Sequence, residues 1–379
     1  MVENALNKKQ IQALIIMFIF GTTLVLGVNT RANQDSWIAI AIAVVLILPM
    51  IIIYGKILSL YPGKNLFDIL IEVFGKLFGK TVCSLYIFYS IHLGSMVLRN
   101  CSEFIKIQNM QETPMILTSC FMIMLSIYTA SVGIINVGRL SKVTFKIVAL
   151  FVILITILNI PNMDFTNILP ILNTEPKVLM KSSFEIFAFP FGETVLIMAL
   201  FSEVNKKENP THIYLKSILI SALLLITANL RNLFVLGTKT IDLVYFTSYF
   251  STSVISVGEF FTRFEVIIAI NFLTASFVKL SVCVLVSCIG LSKLLNIDNY
   301  RVTAVPCGLI VLTMSTKLYS NTAQMFDFIK TYPYYAFPFE VLFPIIIYIT
   351  AKIKQKKNST KPATPPKSSV TNSSAQTQT

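Results

Sequence analysis

Ten stretches of about 20 largely apolar residues, joined by short polar or basic connections, restrict this chain to one kind of fold. A run of that length crosses the hydrocarbon core as a helix. Inside lipid, only helices and closed barrels satisfy every backbone N–H and C=O group. The runs cover 11–28, 37–58, 82–105, 115–130, 143–158, 180–201, 214–236, 264–291, 302–318 and 336–351. An all-α polytopic membrane protein follows. Composition agrees, since only 13% of residues are charged, against roughly a quarter in soluble domains.

The net charge of +13 does not indicate a nucleic-acid partner, because the basic residues lie mostly between the apolar runs and in the tail. With the N-terminus inside, the inner connections hold Lys8 and Lys9, Lys56 and Lys64, a basic loop with Arg139, Lys142 and Lys146, and Lys206 and Lys207. The outer ones hold fewer, so both termini are expected to be cytoplasmic. The organisation reads as an N-terminus at 1–10, a first block of five helices at 11–158 and an extracytoplasmic loop at 159–177. A second five-helix block follows at 178–351, and then a disordered, basic Ser/Thr/Pro-rich tail at 352–379 whose lysines face membrane lipids. An amphipathic piece at 67–78 is expected at the lipid interface, and a mixed segment at 239–262 as a re-entrant or interfacial helix.

Within the sixth run stands Phe187-Ala188-Phe189-Pro190-Phe191-Gly192-Glu193. Proline lacks an N–H and glycine tolerates unusual dihedrals, so the pair can break a helix in mid-membrane with a carboxylate at the break. Backbone freed there is tolerated only if buried in protein or lining a cavity. The first run has small and polar residues at Gly21, Thr22, Thr23 and Gly27, read either as a matching interruption or as a close packing surface. Breaks in corresponding positions of two halves point to two inverted five-helix repeats in a LeuT-like arrangement, with helices 1 and 6 discontinuous and a small-molecule site between them. The candidate ligand-binding residues are Gly21, Thr22, Thr23, Phe189, Pro190, Phe191, Gly192 and Glu193.

Other polar residues inside the runs suggest gating or ion pairing. His92 shares a helix face with Ser95, for interhelical hydrogen bonding or proton transfer. Arg99 and Glu103 are spaced to pair within one helix, whereas Arg263 and Glu265 are two apart and point to different sides. Lys279 lies deep in an apolar run, as a salt-bridge partner of Glu193 or another carboxylate. Glu193 itself is suited either to an ammonium group or cation, or to a basic neighbour. An enzyme has little support: no zinc-binding histidine pair or carboxylate cluster stands out, and the six cysteines form no CxxC pair, so neither metal nor cofactor is expected.

Phe189-Pro190-Phe191-Gly192-Glu193, the Arg263-x-Glu265 pair, the loop Tyr61-Pro62-Gly63-Lys64-Asn65-Leu66 and the ten-run layout resemble the B subunit of GerA-type spore germinant receptors, a family of the amino acid, polyamine and organocation transporter superfamily. The resemblance extends over nearly the whole chain. It implies a protein of the endospore inner membrane that binds a small germinant such as an amino acid. It also implies work in a complex with a larger membrane A subunit and a lipoprotein C subunit. Some superfamily members use a lysine in place of a coupling cation, which gives Lys279 a second possible role. The competing expectation is a secondary amino acid transporter, a permease.

Overall fold

The computed structural model describes residues 5–27, 31–108, 110–255 and 263–359, and the chain is helical almost throughout. In order, the helices are α1 (Lys8–Leu26), α2 (Ser36–Leu60), α3 (Leu66–Phe74), α4 (Lys76–Gln108), α5 (Met115–Val132) and α6 (Ile134–Leu158). There follow α7 (Pro176–Ile186), α8 (Pro210–Ile241), α9 (Thr247–Ser253), α10 (Glu265–Leu295), α11 (Ala304–Lys317), α12 (Thr322–Phe337) and α13 (Phe343–Ser359). Two π-turns interrupt this pattern. Phe187–Phe191 joins α7 to a 3₁₀ helix over Gly192–Glu203, and Pro338–Leu342 joins α12 to α13.

Among the described residues, eight helical stretches are long and apolar enough to cross a membrane, so the chain is a multi-pass membrane protein. The expected runs at 11–28 and 302–318 are not among those eight. They correspond to α1, of 19 residues, and α11, whose 14 residues rise about 21 Å. The run expected at 336–351 is part of a longer broken helix that begins at Thr322.

Burial separates an inner group from an outer one. The span Pro176–Glu203 and α10 are each 83% buried, against 22% for α5 and 28% for α6. A helix apolar all round belongs in the core, and α1 is one, packed most extensively on α10. Its central glycine permits this approach: the stem of Lys279 occupies the place a Cβ at Gly21 would take.

Several sequence expectations change here. Of the residues expected to interrupt the first run, Gly21, Thr22 and Thr23 lie inside an unbroken α1, and Gly27, whose φ is 70°, ends it. The Thr23 hydroxyl donates to the Ile19 carbonyl at 2.6 Å, a back-bond within an intact helix. In the amphipathic piece, Leu66, Phe67, Ile69, Leu70 and Val73 of α3 are buried against the protein, chiefly α4, while Leu77 and Phe78 at the start of α4 are exposed. The basic loop before run five is helical, because α6 starts at Ile134 and carries Arg139, Lys142 and Lys146. In the mixed segment, α8 reaches Ile241 and the short α9 packs on α8 and α10; residues 256–262 lie outside those described. Helix α13 continues to Ser359, eight residues into the expected tail, and 360–379 lie outside those described.

Two ties close the ends of the molecule. Asp35 accepts the backbone N–H groups of Leu172 and Thr174 at 2.8 and 2.9 Å, holding the 159–177 loop against the start of α2. On the N-terminal side, the Leu6 N–H donates to Glu203 at 2.8 Å and its carbonyl accepts from Asn205 at 3.2 Å. Leu6 is thus fastened to the end of the broken helix. At α3, Asn65 and Asp68 cap reciprocally. Asn65→Ala is expected to lower unfolding stability by about 1 kcal/mol, measured by thermal unfolding in detergent; an unchanged melting point would rule out the cap's contribution.

Candidate functional site

The site is assembled at the first π-turn. Phe189 leaves the helical region at φ −116°, ψ 114°, and Pro190 supplies no N–H to the ladder. Carbonyls just after the break are met by side chains: the Thr194 hydroxyl donates to the Phe191 carbonyl at 2.6 Å, and the Tyr214 hydroxyl to the Thr194 carbonyl at 3.1 Å. Glu193 follows the break and is fully buried. Its Oε2 lies 2.5 Å from Lys279 Nζ on α10, and its Oε1 accepts from the Tyr332 hydroxyl on α12 at 2.8 Å. The Lys279 ammonium also sits over the rings of Phe18 and Phe189, at 5.2 and 5.0 Å from their centroids.

The second π-turn meets the first. Glu340 is also fully buried; its Oε1 lies 2.8 Å from the Tyr89 hydroxyl of α4, and Tyr89 lies 3.0 Å from the Tyr332 hydroxyl. The Tyr54 hydroxyl of α2 donates to the Glu340 carbonyl at 2.5 Å, and the Tyr86 hydroxyl to the Phe339 carbonyl at 2.8 Å. Tyrosine hydroxyls thus satisfy the Phe339 and Glu340 carbonyls, for which Pro344 one turn later has no N–H to offer, as buried membrane backbone requires. A Cβ on Gly192 would overlap the Glu340 carboxylate, so the glycine is what allows the two broken helices to touch.

Beside this junction lies a narrow cavity of about 40 Å³, lined among others by Thr22, Phe189, Glu193, Phe328 and Tyr332. A wider cavity of about 450 Å³, with Arg31, Glu185, Asp242 and Lys330 in its wall, shares Leu26, Phe189 and Ile329 with it. Those three apolar side chains form the partition between them.

The structure brings together Gly21, Thr22, Phe189, Pro190, Phe191, Gly192, Glu193 and Lys279. The Ser276 hydroxyl donates to the Gly21 carbonyl at 2.5 Å. Thr23 bonds within its own helix. His92 is buried among Phe88, Phe328 and Tyr335, with no hydrogen-bond partner for Nδ1. Arg99 and Glu103 pair at 2.7 Å away from the junction, and Glu103 also accepts from the Thr322 hydroxyl at 2.9 Å, which pins the start of α12. Arg263 and Glu265 do not point to different partners: they pair with each other at 3.3 Å, because Arg263 precedes α10 and is not bound by its helical geometry.

Sequence reading missed Glu340, Tyr332, Tyr89, Tyr86 and Tyr54. One signal was present. Ala336-Phe337-Pro338-Phe339-Glu340 repeats Ala188-Phe189-Pro190-Phe191-Gly192-Glu193 without the glycine, and both copies form π-turns.

Comparison with known proteins gives consistent results. The model of a family described as "Spore germination protein" matches residues 5–325. Spore germination protein KB of Bacillus subtilis is 25% identical over 354 residues, covering 92% of this chain and 95% of that protein. The putative spore germination protein YfkT of the same organism is 22% identical over 323 residues, covering 85% and 88%. Among solved structures, Mhp1, a nucleobase-cation-symport-1 family transporter in a closed conformation with bromovinylhydantoin bound, aligns with a TM-score of 0.64 at 10% identity, over 87% of this chain and 75% of that one. MhsT in complex with L-phenylalanine aligns at 0.62 and 10% identity, over 90% and 88%. At such identity the likeness to these transporters concerns the fold alone.

Proposed function

The chain belongs to the spore germination protein family, and from that premise we propose that it is the nutrient-sensing membrane subunit of a spore germinant receptor. It binds a small germinant, an amino acid or similar nutrient, midway through a transporter-like fold and passes a conformational change to partner subunits, a membrane A subunit and a lipoprotein C subunit. In this reading α1 and α11 complete ten membrane helices in two inverted five-helix repeats, with helix 6 discontinuous. Both termini are cytoplasmic, and the membrane is the inner membrane of the endospore. The distribution of basic residues supports that orientation.

The observation that carries the reading is the Glu193–Lys279 pair at the helix break, at the edge of a cavity. A zwitterion entering between the two side chains places its ammonium on Glu193 and its carboxylate on Lys279, converting one ion pair into two without changing the buried charge. An ordinary anion or cation upsets that balance, which costs far more in a low-dielectric interior. A cavity of 40 Å³ holds about one or two waters, so an amino acid has to widen it. Widening displaces Phe189 and with it the π-turn. A ligand shifts a conformational equilibrium only through different contacts in the two states, and this coupling supplies the difference.

The test is binding of labelled candidate amino acids to membranes from spores carrying this subunit. Phe189→Ala is expected to weaken binding about tenfold, equivalent to roughly 1.4 kcal/mol, and Glu193→Gln to weaken it more. Unchanged binding and germination in both variants would remove the break from the mechanism. The second reading, a secondary amino acid transporter, is favoured by the transporter fold of the structural neighbours. Ligand-driven accumulation of labelled amino acid in proteoliposomes would select it over a receptor that binds without moving its ligand.

A further inference from the structure

Four oxygens connect the two helix breaks: Glu340 Oε1, Tyr89 Oη, Tyr332 Oη and Glu193 Oε1, separated in turn by 2.8, 3.0 and 2.8 Å. Each of these three contacts needs one hydrogen between its oxygens, because two oxygen acceptors without a hydrogen repel at that distance. The tyrosines supply two hydrogens. An ionised carboxylate supplies none.

We infer that the chain of oxygens from Glu340 to Glu193 holds one proton beyond those of its two tyrosines, resting on the Glu340 carboxyl, and passes it between the two helix breaks. The placement on Glu340 follows from its surroundings. Glu193 is already compensated by Lys279 at 2.5 Å, whereas the Glu340 carboxyl meets only the Tyr89 hydroxyl and the Gly192 backbone, the Tyr54 and Tyr86 hydroxyls being taken by backbone carbonyls of its turn. It feels Glu193 and Lys279 as a pair of opposite sign whose ammonium is bound to Glu193. The Glu340 Oε2 atom is buried and has no hydrogen-bond partner. A neutral carboxyl tolerates that far better than a carboxylate does.

Transfer balances without any other reactant. The Glu340 O–H bond breaks as its proton passes to Tyr89, the Tyr89 proton passes to Tyr332, and the Tyr332 proton passes to Glu193 Oε1. The result is one proton moved from the second break to the first, with both tyrosines restored. Glu193 is also the end that borders the cavity. Engaging Glu193 with a positive group holds the proton on Glu340, and withdrawing Lys279 from Glu193 draws it across.

Infrared spectroscopy of the purified full-length protein in lipid nanodiscs at neutral pH tests the inference with no ligand present, so its outcome is independent of the germinant reading. The expected spectrum has a deuterium-sensitive carboxylic acid C=O band that is lost in Glu340→Gln, whose amide supplies the third hydrogen in place of the proton. In Tyr89→Phe the group meeting that carboxyl is gone, so the band shifts or disappears. This second variant carries the test if Glu340→Gln fails to fold. Absence of such a band in the unmodified protein, or a band unchanged in the variants that fold, overturns the inference.

Discussion

Lys279→Met is expected to destabilise the protein by about 3–5 kcal/mol, the largest single loss among the residues of the site. The reason lies in what remains. Glu193 is 1% exposed in its side chain and Lys279 is fully buried, so removing the ammonium leaves the hydrogen-bonded pair Glu193 and Glu340 with one negative charge deep in protein and no counter-charge, whichever of the two carries it. The pair itself adds little net stability, because desolvating both ions offsets most of their attraction. Combining Lys279→Met with Glu193→Gln should therefore recover most of the loss, and the double-mutant cycle should show strong coupling. Thermal unfolding in detergent measures all three variants. A single variant that melts with the unmodified protein would mean that Glu193 carries no buried charge, and the zwitterion-exchange reading would lose its basis. The double variant, stable but lacking both charges, is expected to give spores that do not respond to the germinant.

Gly192→Ala is the second large effect. The added methyl group would occupy space held by the Glu340 carboxylate, and overpacking of this kind costs about 1–3 kcal/mol. Glu340 has a flexible side chain and can retreat, but retreat separates it from Tyr89 and parts the two π-turns. The expected phenotype is a moderate fall in unfolding temperature with a disproportionate loss of germinant response. Adding Glu340→Ala removes the obstructing carboxylate, so the double variant should regain stability while remaining unresponsive. If Gly192→Ala alone has the melting temperature and response of the unmodified protein, the close approach of the two breaks does not govern function.

The features legible in sequence were those that depend on local chemistry. Long apolar runs announced membrane helices, and proline followed by glycine and glutamate at 190–193 announced the break. What escaped depended on contacts distant in sequence. The stretch before Ala336 includes Gln324, Asp327 and Lys330 among its aromatics, so its composition hid a helix that begins at Thr322. Nothing local marks where a tyrosine hydroxyl goes, and five of them meet carbonyls or carboxyl groups of the breaks. Gly21, Thr22 and Thr23 suggested a broken helix, yet the glycine serves α10's close approach and Thr23 bonds its own backbone. The pairing of Arg263 with Glu265 was misread because helical spacing was applied to both, although Arg263 lies outside the helix that begins at Glu265.

The tie between Leu6 and the residues flanking Val204 has a practical consequence for reporter design. Because the Gly192–Glu203 helix is hydrogen-bonded to the first described residues, a rotation at the π-turn pulls on the amino-terminal segment across the length of that helix. A small environment-sensitive dye attached near Leu6 would register the motion optically, while a bulky fusion at that end would brake it. Fluorescent fusions for imaging this protein therefore belong at the carboxyl terminus.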